Sequence, residues 1–181
     1  MLAYATRLLN HGPVTVLTTA DEHGANACAV AWVMPLSKGP ARFVLSLGRG
    51  HLSWEKLMAT GEAVINIPGA HQAAETLAVG TLKGREVPDK IHVAGFATEP
   101  AAVVAVPRLA GCVAWLECRL VERALAEAHG LVILEAVHAH SAHLRDDGTL
   151  DVAAHPTLHH LGGRRFAADG EVITPPLPEP D

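Results

Sequence analysis

Short runs of strand-forming residues, separated by glycine, proline and aspartate, recur along most of this 181-residue chain. The runs are rich in valine, leucine and threonine, and such residues are common in strands. They predict a hairpin over 13–34 and single strands over 42–48, 62–68, 111–122 and 131–144. Because these strands are closely spaced and helices are few, we expect a mainly β fold, with an antiparallel barrel favoured over a parallel sheet.

Helical patterns are short and lie at the start of the chain or between the predicted strands. They cover residues 2–10, 51–61 and 70–79, and Gly61 supplies a stop signal for the second of them. Residues 80–95 contain three glycines and one proline, so this stretch is predicted to be a loop.

The chain contains no internal repeat and no linker, so residues 1–170 are predicted to form a single domain. Residues 171–181 contain four prolines and form a distinct tail. We expect this tail to be either an extended arm that lies across a partner subunit or a disordered terminus.

Composition argues against several partners and compartments. The formal charge is −5 and the 14 lysines and arginines are scattered, so the basic stripe of a nucleic-acid-binding protein is missing. Three cysteines do not suit an extracellular disulfide framework. Cys112 and Cys118 lie in one predicted strand about 20 Å apart, whereas a disulfide spans about 7 Å. Without a signal peptide pattern or a membrane-length apolar run, we expect a soluble, cytoplasmic protein.

Residues 26–34 form an informative predicted strand because its two faces differ in size. The bulky face consists of Asn26, Cys28, Val30, Trp32 and Met34, and the shallow face of Ala27, Ala29, Ala31 and Val33. A shallow face leaves room for a packed helix, a neighbouring subunit or the edge of a flat ligand. These three possibilities stay open at the level of the sequence.

The segment 46–53 places a glycine-flanked arginine between a predicted strand and a predicted helix. Glycines let backbone N–H groups approach an anion, and the N-terminus of a helix adds a favourable dipole. Arg49 can bind a phosphate through two donors, and Ser46 and Ser53 add hydroxyl groups. The segment is therefore a candidate phosphate site, although the same glycine pattern also occurs in ordinary turns.

A series of motifs over residues 10–168 resembles, in order, those of the flavin reductase-like, FMN-binding split-barrel family, which includes flavoredoxin-like flavoproteins. The first group of matching residues is Pro13, Gly24, Asn26, Ala27, Val30, Trp32, Pro35, Ser37, Pro40, Gly61, Glu62, Asn66 and Pro68. Downstream, KGREVPDK (83–90), WLECRLVE (115–122), His140 and LHHLGGRRFA (158–167) continue the match.

The resemblance implies a Greek-key, FMN-binding split β-barrel with a few short peripheral helices. It also implies a homodimer with the flavin near the interface. The family's usual activity is hydride transfer from NADH or NADPH to a bound flavin, FMN in preference to FAD, with electrons passed on to an acceptor, an electron-accepting protein or a partner oxygenase. Because the flavin carries the redox chemistry, no side chain is predicted to be catalytic.

Carried over by position, the resemblance implies a cofactor site built from four segments. The strand would run along the flavin ring and ribityl chain, and the glycine-containing loop would hold the phosphate. Lys90 would reach the phosphate or close the site, and His160 or Phe166 would contact the flavin from the end segment. The predicted residues are Asn26, Ala27, Cys28, Ala29, Val30, Ala31, Trp32, Ser46, Gly48, Arg49, His51, Ser53, Lys90, His160 and Phe166.

Four positions depart from the family pattern. Ala29 and Ala31 stand where the family usually has threonine and serine, and each lost hydrogen bond weakens FMN binding by about 0.5–1.5 kcal/mol. Phe166 replaces a tyrosine, and Lys83 replaces a small polar residue. Two other functions therefore remain open besides that of a flavin reductase. One is an FMN-binding electron carrier that is reduced by a partner protein, and the other is a barrel that binds a metal, haem or apolar ligand.

Twelve histidines raise the hypothesis of a metal site. His138 and His140 share one face of a predicted strand, at a spacing that two ligands of zinc or iron can use. His143 would point to the opposite face, and no cysteine or carboxylate follows at a matching spacing. We therefore predict no metal ligand and expect His140 to pack or hydrogen-bond within the barrel.

Overall fold

The computed structural model describes residues 6, 9 and 12–175. The helix predicted over 2–10 lies outside the described residues, apart from two isolated positions. The last part of the predicted tail, 176–181, also lies outside them. The division into a domain over 1–170 and a tail over 171–181 stays a prediction.

The fold is built on a seven-stranded antiparallel sheet. Its strands are β1 (Thr15–Asp21), β2 (Gly24–Val30), β3 (Val33–Lys38), β4 (Ala41–Ser46), β5 (Glu62–Ile67), β8 (Ala114–Leu120) and β9 (Leu131–His140). Two further hairpins pair β6 (Thr98–Glu99) with β7 (Arg108–Leu109), and β10 (Leu158–Gly162) with β11 (Arg165–Ala168). The mainly β, antiparallel architecture is confirmed.

The strand order explains why this sheet is curved. The order is β2-β1-β5-β8-β9-β4-β3, so β2 and β3 lie at opposite edges. Only Ala31 and Trp32 separate these two strands along the chain. The sheet must therefore bend until its two edges approach each other, which gives a barrel that is open between β2 and β3.

Four short α-helices accompany the sheet in the described part of the chain: α1 (Leu52–Thr60), α2 (Ala73–Thr81), α3 (Lys90–Val93) and α4 (Arg123–His129); a 3-10 turn (Ala70–Gln72) leads into α2. Gly61 ends α1 in the left-handed conformation, with φ 74° and its N–H bound to the Leu57 carbonyl, as predicted. One expectation was wrong, because the predicted loop over 80–95 contains α3. The connection between β8 and β9, for which no element was predicted, contains α4, since its alanine-rich sequence favours a helix.

The two faces of β2 pack against different groups. Cys28 and Val30 contact the core inside the barrel, whereas Ala27 and Ala29 belong to a cluster with Val79 of α2. A Cβ atom built on Gly80 of α2 would lie 3.0 Å from the Ala29 Cβ. The shallow face therefore accommodates a closely packed helix, and the alternation predicted as far as Met34 is broken because β2 ends at Val30.

Within the described residues, no helix combines the length and the apolar character needed to cross a membrane. Cys28, Cys112 and Cys118 are free thiols. Burial raises the pKa values of Cys112 and Cys118 to about 12. These two thiols are therefore inert packing groups at neutral pH.

Candidate functional site

A cavity of about 420 Å³, here called the polar lobe, lies where β2, the loop before α1 and the C-terminal end of α2 meet. Its walls combine short side chains with hydroxyl, amide and cationic groups. The residues that line it are Asn26, Cys28, Ala29, Val30, Ser46, Leu47, Gly48, Gly50, His51, Leu52, Ser53, Val79, Gly80, Thr81, Leu82, Lys83, Gly84, Arg85, Glu86 and Lys90.

Lys90 is the buried cation of the polar lobe. It begins α3, where Asp89 adopts a left-handed conformation with φ 48°, and it is only 7% exposed. No ion pair or hydrogen bond joins its ammonium to any described residue. Burial lowers the pKa of Lys90, with a smaller opposing effect from the nearby Cys28 thiol. An anionic ligand bound beside this ammonium group would offset the free-energy cost of burying its charge.

Polar side chains on β2 and α1 form the floor of the polar lobe. The Asn26 side-chain amide donates a hydrogen bond to the Ser53 hydroxyl at 2.8 Å, and both residues are buried. Burial raises the pKa of the Cys28 thiol, although a hydrogen bond with Ser53 and the charge of Lys90 act in the opposite direction. Cys28 is therefore a neutral thiol beside Lys90.

Two glycines keep the polar lobe open. A Cβ atom on Gly84 would lie 2.4 Å from the Asn26 Oδ1 atom and 3.0 Å from a Leu52 methyl group. A Cβ on Gly48 would lie 2.7 Å from the His51 ring. A Cβ atom at position 84 would therefore require Asn26 or Leu52 to shift, whereas one at position 48 would displace only the His51 ring.

A second cavity of about 290 Å³, here called the apolar lobe, adjoins the polar lobe and shares Ala29, Gly80 and Thr81 with it. The apolar lobe is lined by Val14, Ala29, Ala31, Thr76, Leu77, Gly80, Thr81, His160, Gly163 and Phe166. The His160 and Phe166 rings are tilted against each other, with their centroids 5.4 Å apart. The β10–β11 hairpin thus supplies an aromatic wall.

Arg85, which lines the polar lobe, belongs to an ion pair. Arg85 pairs with Glu55 of α1 and also donates to the Gly50 carbonyl at 3.4 Å. The hydrogen bond lowers the pKa of the Glu55 carboxyl and raises that of the Arg85 guanidinium. Arg85 therefore ties the loop after α2 to α1 through the ion pair and to the loop before α1 through the hydrogen bond.

Most of the residues predicted for the cofactor site lie around the two lobes. Those in the polar lobe are Asn26, Cys28, Ala29, Val30, Ser46, Gly48, His51, Ser53 and Lys90. Those in the apolar lobe are Ala29, Ala31, His160 and Phe166. The role of these residues in binding a cofactor stays a prediction.

Three predicted residues lie elsewhere. Ala27 is fully buried against α2 and α3. Arg49 turns towards α4, where its guanidinium donates to the Glu127 carbonyl at 2.8 Å. Trp32 is 56% exposed and lines a third, open groove. A phosphate contact from Arg49 would require this side chain to leave Glu127.

The prediction from the sequence missed the contribution of α2 and of the loop that follows it. Thr76, Gly80 and Thr81 were placed in or beside a helix that carried no motif, so nothing marked them as lining residues. Gly84 and Arg85 were part of the motif KGREVPDK and could have been added to the site on that basis.

No group of three or more histidine, cysteine, aspartate or glutamate side chains suited to a metal ion occurs among the described residues. The His140 ring stacks on Trp115, with centroids 5.6 Å apart. His138 lies opposite the buried Glu117 in the β8–β9 register.

Comparison with known proteins identifies the fold. The model of the flavin reductase like domain family matches residues 8–166. The chain belongs to this family. The match confirms the resemblance seen in the sequence motifs.

Relatives of the chain cover nearly its whole length. It is 32% identical to the uncharacterized protein YddH of Escherichia coli (strain K12), over 96% of this chain and 95% of that protein. The crystal structure of an FMN-binding domain of a flavin reductases-like enzyme from Shewanella baltica OS155 is 29% identical, with a TM-score of 0.85, and the match covers 97% of this chain and 95% of that one. Flavoredoxin of Desulfovibrio vulgaris (Miyazaki F), 22% identical, has the same fold, with a TM-score of 0.79 and coverage of 91% and 90%.

The chain therefore has a flavin reductase-like, FMN-binding split-barrel fold. The two lobes fit such a cofactor on their own evidence. Their volumes lie in the range of small-molecule sites. The polar lobe offers an unpaired ammonium group to a phosphate, and the apolar lobe offers short side chains and an aromatic wall to a flat ring.

Proposed function

We propose that this protein is an FMN-dependent oxidoreductase that takes a hydride from NADH or NADPH and passes electrons to an acceptor. The observation that carries the proposal is Lys90, a residue that is 7% exposed in the wall of a cavity and whose ammonium group has no anionic partner among the described residues. A buried cation of this kind stabilises a bound phosphate, and the negative charge of the phosphate compensates the buried positive charge of Lys90.

In this proposal the chain binds and orients the cofactor. Lys90 and Ser53 hold the phosphate, Ser46 and His51 line the same lobe, and Asn26 fixes the Ser53 hydroxyl. Ala29 and Gly80 form flat walls where the two lobes meet. Bound FMN supplies the hydride-accepting chemistry. No side-chain acid or base is required for that transfer, so none is assigned.

A visible absorption spectrum tests the cofactor. The purified protein is expected to show the flavin absorption bands, or to acquire them when it is titrated with FMN. The titration should end at one FMN per protein chain. A colourless protein that FMN does not change would contradict the proposal and favour the barrel that binds a metal, haem or apolar ligand.

Rapid mixing of the FMN-loaded protein with NADH and with NADPH tests the electron donor. We expect one of the two nucleotides to bleach the flavin absorbance faster than it bleaches free FMN at the same concentration. Equal rates for protein-bound and free FMN with both nucleotides would contradict reductase activity and favour the electron carrier.

We also propose that the protein is a homodimer and works in the cytoplasm. An open apolar groove of about 750 Å³, lined by Trp32, Met34, Val44 and Leu131 among others, supports self-association. Ala31 lines both this groove and the apolar lobe, so the proposed interface lies beside the cofactor site. Three free thiols are typical of a reducing compartment.

A further inference from the structure

We propose that a further cavity, separate from the two lobes, binds a small organic carboxylate through its histidine side chains. This cavity of about 220 Å³ is here called the histidine pocket, and it is lined by Gly69, Ala70, His71, Gly111, Val113, His143, Ala154, His155 and Pro156. It shares no lining residue with the polar lobe, the apolar lobe or the open apolar groove. The inference therefore goes beyond the proposed function and concerns a separate site.

The ionisable side chains of the histidine pocket are all imidazoles. His71, His143 and His155 line it, and no lysine, arginine, aspartate or glutamate is among the described residues that do so. No hydrogen bond or ion pair joins the ring nitrogens of these three histidines to another described residue. Each ring therefore keeps its N–H group available for a ligand.

Two of the rings lie face to face. The centroids of the His143 and His155 rings are 3.7 Å apart, and the rings are tilted by 33°. The lone pairs and N–H bonds of an imidazole lie in the plane of the ring, so two rings in this arrangement do not converge on one metal ion. They can instead present two donors side by side, which suits the two oxygens of one carboxylate.

Protonation couples this pair of rings to an anion. A protonated imidazole donates from both nitrogens and carries a positive charge. Two positive rings with centroids 3.7 Å apart repel each other. An anion bound beside His143 and His155 offsets that repulsion, so binding of the anion and protonation of the rings favour each other.

The other walls of the histidine pocket favour an anion with a short apolar body. Apolar side chains are supplied by Ala70, Val113, Ala154 and Pro156. The volume of about 220 Å³ lies below the range of about 300–1,000 Å³ that is typical of drug-sized ligands. The ligand is therefore a small organic acid in its ionised form.

Hydrogen bonds fix the walls of the histidine pocket relative to one another. The Ala70 N–H donates to the Pro156 carbonyl at 2.7 Å. The Ser141 hydroxyl donates to the Val113 carbonyl at 2.8 Å and accepts from the His143 N–H at 3.0 Å. The loop after β9 is thus tied to the start of β8 and to the segment before α2, and the pocket is preorganised for a ligand.

Charged side chains of the surrounding segments do not line the histidine pocket. These are Glu75, Arg108, Arg145, Asp146, Asp147, Asp151 and Asp169. Arg108 pairs with Glu99 at 2.9 Å, and the Asp151 carboxylate accepts a hydrogen bond from the Ala154 N–H at 3.4 Å. The charge of the pocket lining therefore follows the protonation of its three imidazoles.

Isobutyrate is the probe for this site, because its carboxylate carries a short branched body. Isobutyramide has nearly the same shape without the charge, and inorganic phosphate has the charge without the apolar body. Each probe is titrated into the full chain as purified, at pH 5.5 and at pH 8, while NMR follows the ring signals of the histidines. We expect isobutyrate alone to shift the His143 and His155 signals to saturation at pH 5.5. Its Kd should be about 10-fold higher at pH 8, because imidazoles generally lose their charge near pH 6.5.

Substitutions test the two stacked rings. His143→Gln and His155→Gln each keep a polar side chain that cannot be protonated. We expect each to raise the Kd for isobutyrate at pH 5.5 about 2- to 5-fold, the range of a solvent-exposed ion pair. His92→Gln is the matched control, because His92 is exposed on α3 and lines none of the four cavities.

Three results would overturn the inference: no saturable shift with isobutyrate at pH 5.5, equal binding of isobutyramide, or the same Kd for isobutyrate in all three variants. Phosphate binding tighter than that of isobutyrate would overturn the assignment to an organic carboxylate. Because the titrations follow histidine signals and not flavin absorbance, failure of the protein to bind FMN would contradict only the proposed function.

Discussion

Lys90 holds its ammonium group at a position that is 7% exposed, and burial lowers its pKa. Burial therefore disfavours the charged form of Lys90, and a bound anion would favour it. Close to it, the backbone of Gly84 and the amide of Asn26 leave no room for a Cβ atom. The polar lobe thus depends on the charge of Lys90 and on the absence of a Cβ atom at Gly84. Each of these features can be tested by a substitution.

Replacing Lys90 by methionine keeps most of the side-chain length and removes the charge. We expect the Kd for FMN to rise about 10- to 150-fold, since a charge-assisted contact contributes about 1.5–3 kcal/mol. We also expect the FMN-free variant to unfold at a higher temperature than wild type. Arg49→Ala is the control. Fluorescence titration measures the Kd of both variants for FMN, and thermal unfolding measures their stability. A loss of affinity in Arg49→Ala as large as in Lys90→Met would show that Arg49 leaves Glu127 and binds the phosphate.

Substituting Gly84 by alanine adds a methyl group 2.4 Å from the Asn26 Oδ1 atom. We expect a loss of about 1–3 kcal/mol in the free energy of unfolding, typical of overpacking, together with weaker FMN binding. Gly50→Ala is the matched control in the same lobe, because nothing lies within 4 Å of its added methyl group. Urea denaturation of both variants measures the difference. Equal stability of the two would contradict the close approach at Gly84.

The sequence located the loop over 46–53 but not the direction in which its side chains turn. Arg49 binds the Glu127 carbonyl, a group 78 positions away that is available only because α4 forms and packs nearby. Such a contact depends on tertiary structure and leaves no local pattern in the sequence. Ser46 and Ser53 have short side chains, so their positions follow from the backbone of the strand and the helix on which they lie.

At the scale of the elements, β10 and β11 bring His160 and Phe166 to the apolar lobe. Asp169, just after β11, holds this hairpin by accepting hydrogen bonds from the backbone N–H and the hydroxyl of Thr157 and by pairing with the His159 ring at 2.7 Å. Burial opposes the charge of Asp169, yet these contacts keep the pKa of its carboxyl below the ordinary value of 3.8. The aromatic wall therefore depends on an ionised carboxylate.

The stability that Asp169 contributes should depend on pH. Because its pKa is lower in the folded state than in the unfolded chain, the contribution is present above the ordinary value of 3.8 and is lost as the pH falls through the folded-state pKa. We expect Asp169→Asn to lower the free energy of unfolding by about 1–3 kcal/mol at pH 7, with a smaller difference from wild type at pH 3.

Asp147→Asn is the matched control for this prediction. Asp147 also accepts hydrogen bonds from the backbone N–H and the hydroxyl of a threonine, Thr149, but in an exposed turn. Urea denaturation at the two pH values and hydrogen exchange of residues 158–168 measure the effect. A stability difference for Asp169→Asn that stays the same at pH 7 and pH 3 would contradict the assignment.

Elements were predicted well from the sequence where a local stop signal exists, as at Gly61, and poorly where a helix is short. No helix was predicted in the connection between β8 and β9, because seven residues are too few to show a clear helical period. The helix α3 has only four residues and depends on packing of Ile91 against the core. Its position nevertheless determines where Lys90 lies.

At the scale of the whole molecule, closure of the barrel brings distant segments together around the two lobes. β2, α2 and the β10–β11 hairpin contribute to the same site although long stretches of chain separate them. The order of the family motifs predicted the fold, since it follows the order of the strands. It did not predict the lobes, because their shape depends on how closely α2 packs against Ala29.

The open groove beside the apolar lobe leads to the last prediction, that two copies of the chain associate through it. Met34 lies in this groove and is 57% exposed. An apolar surface of this kind is costly unless a partner covers it. We expect Met34→Glu to convert a dimeric protein to monomers, because burying the carboxylate at the interface would be unfavourable.

Val93→Glu provides the matched control, because Val93 is 58% exposed but lies on α3 and is not among the residues that line the groove. Sedimentation velocity at several concentrations measures the mass of wild type and both variants. A wild-type protein that stays monomeric at every concentration, or a Met34→Glu variant that remains as dimeric as Val93→Glu, would contradict association through this groove. FMN titration of the monomeric variant then shows whether the second copy is needed for cofactor binding, since Ala31 belongs to both the groove and the apolar lobe.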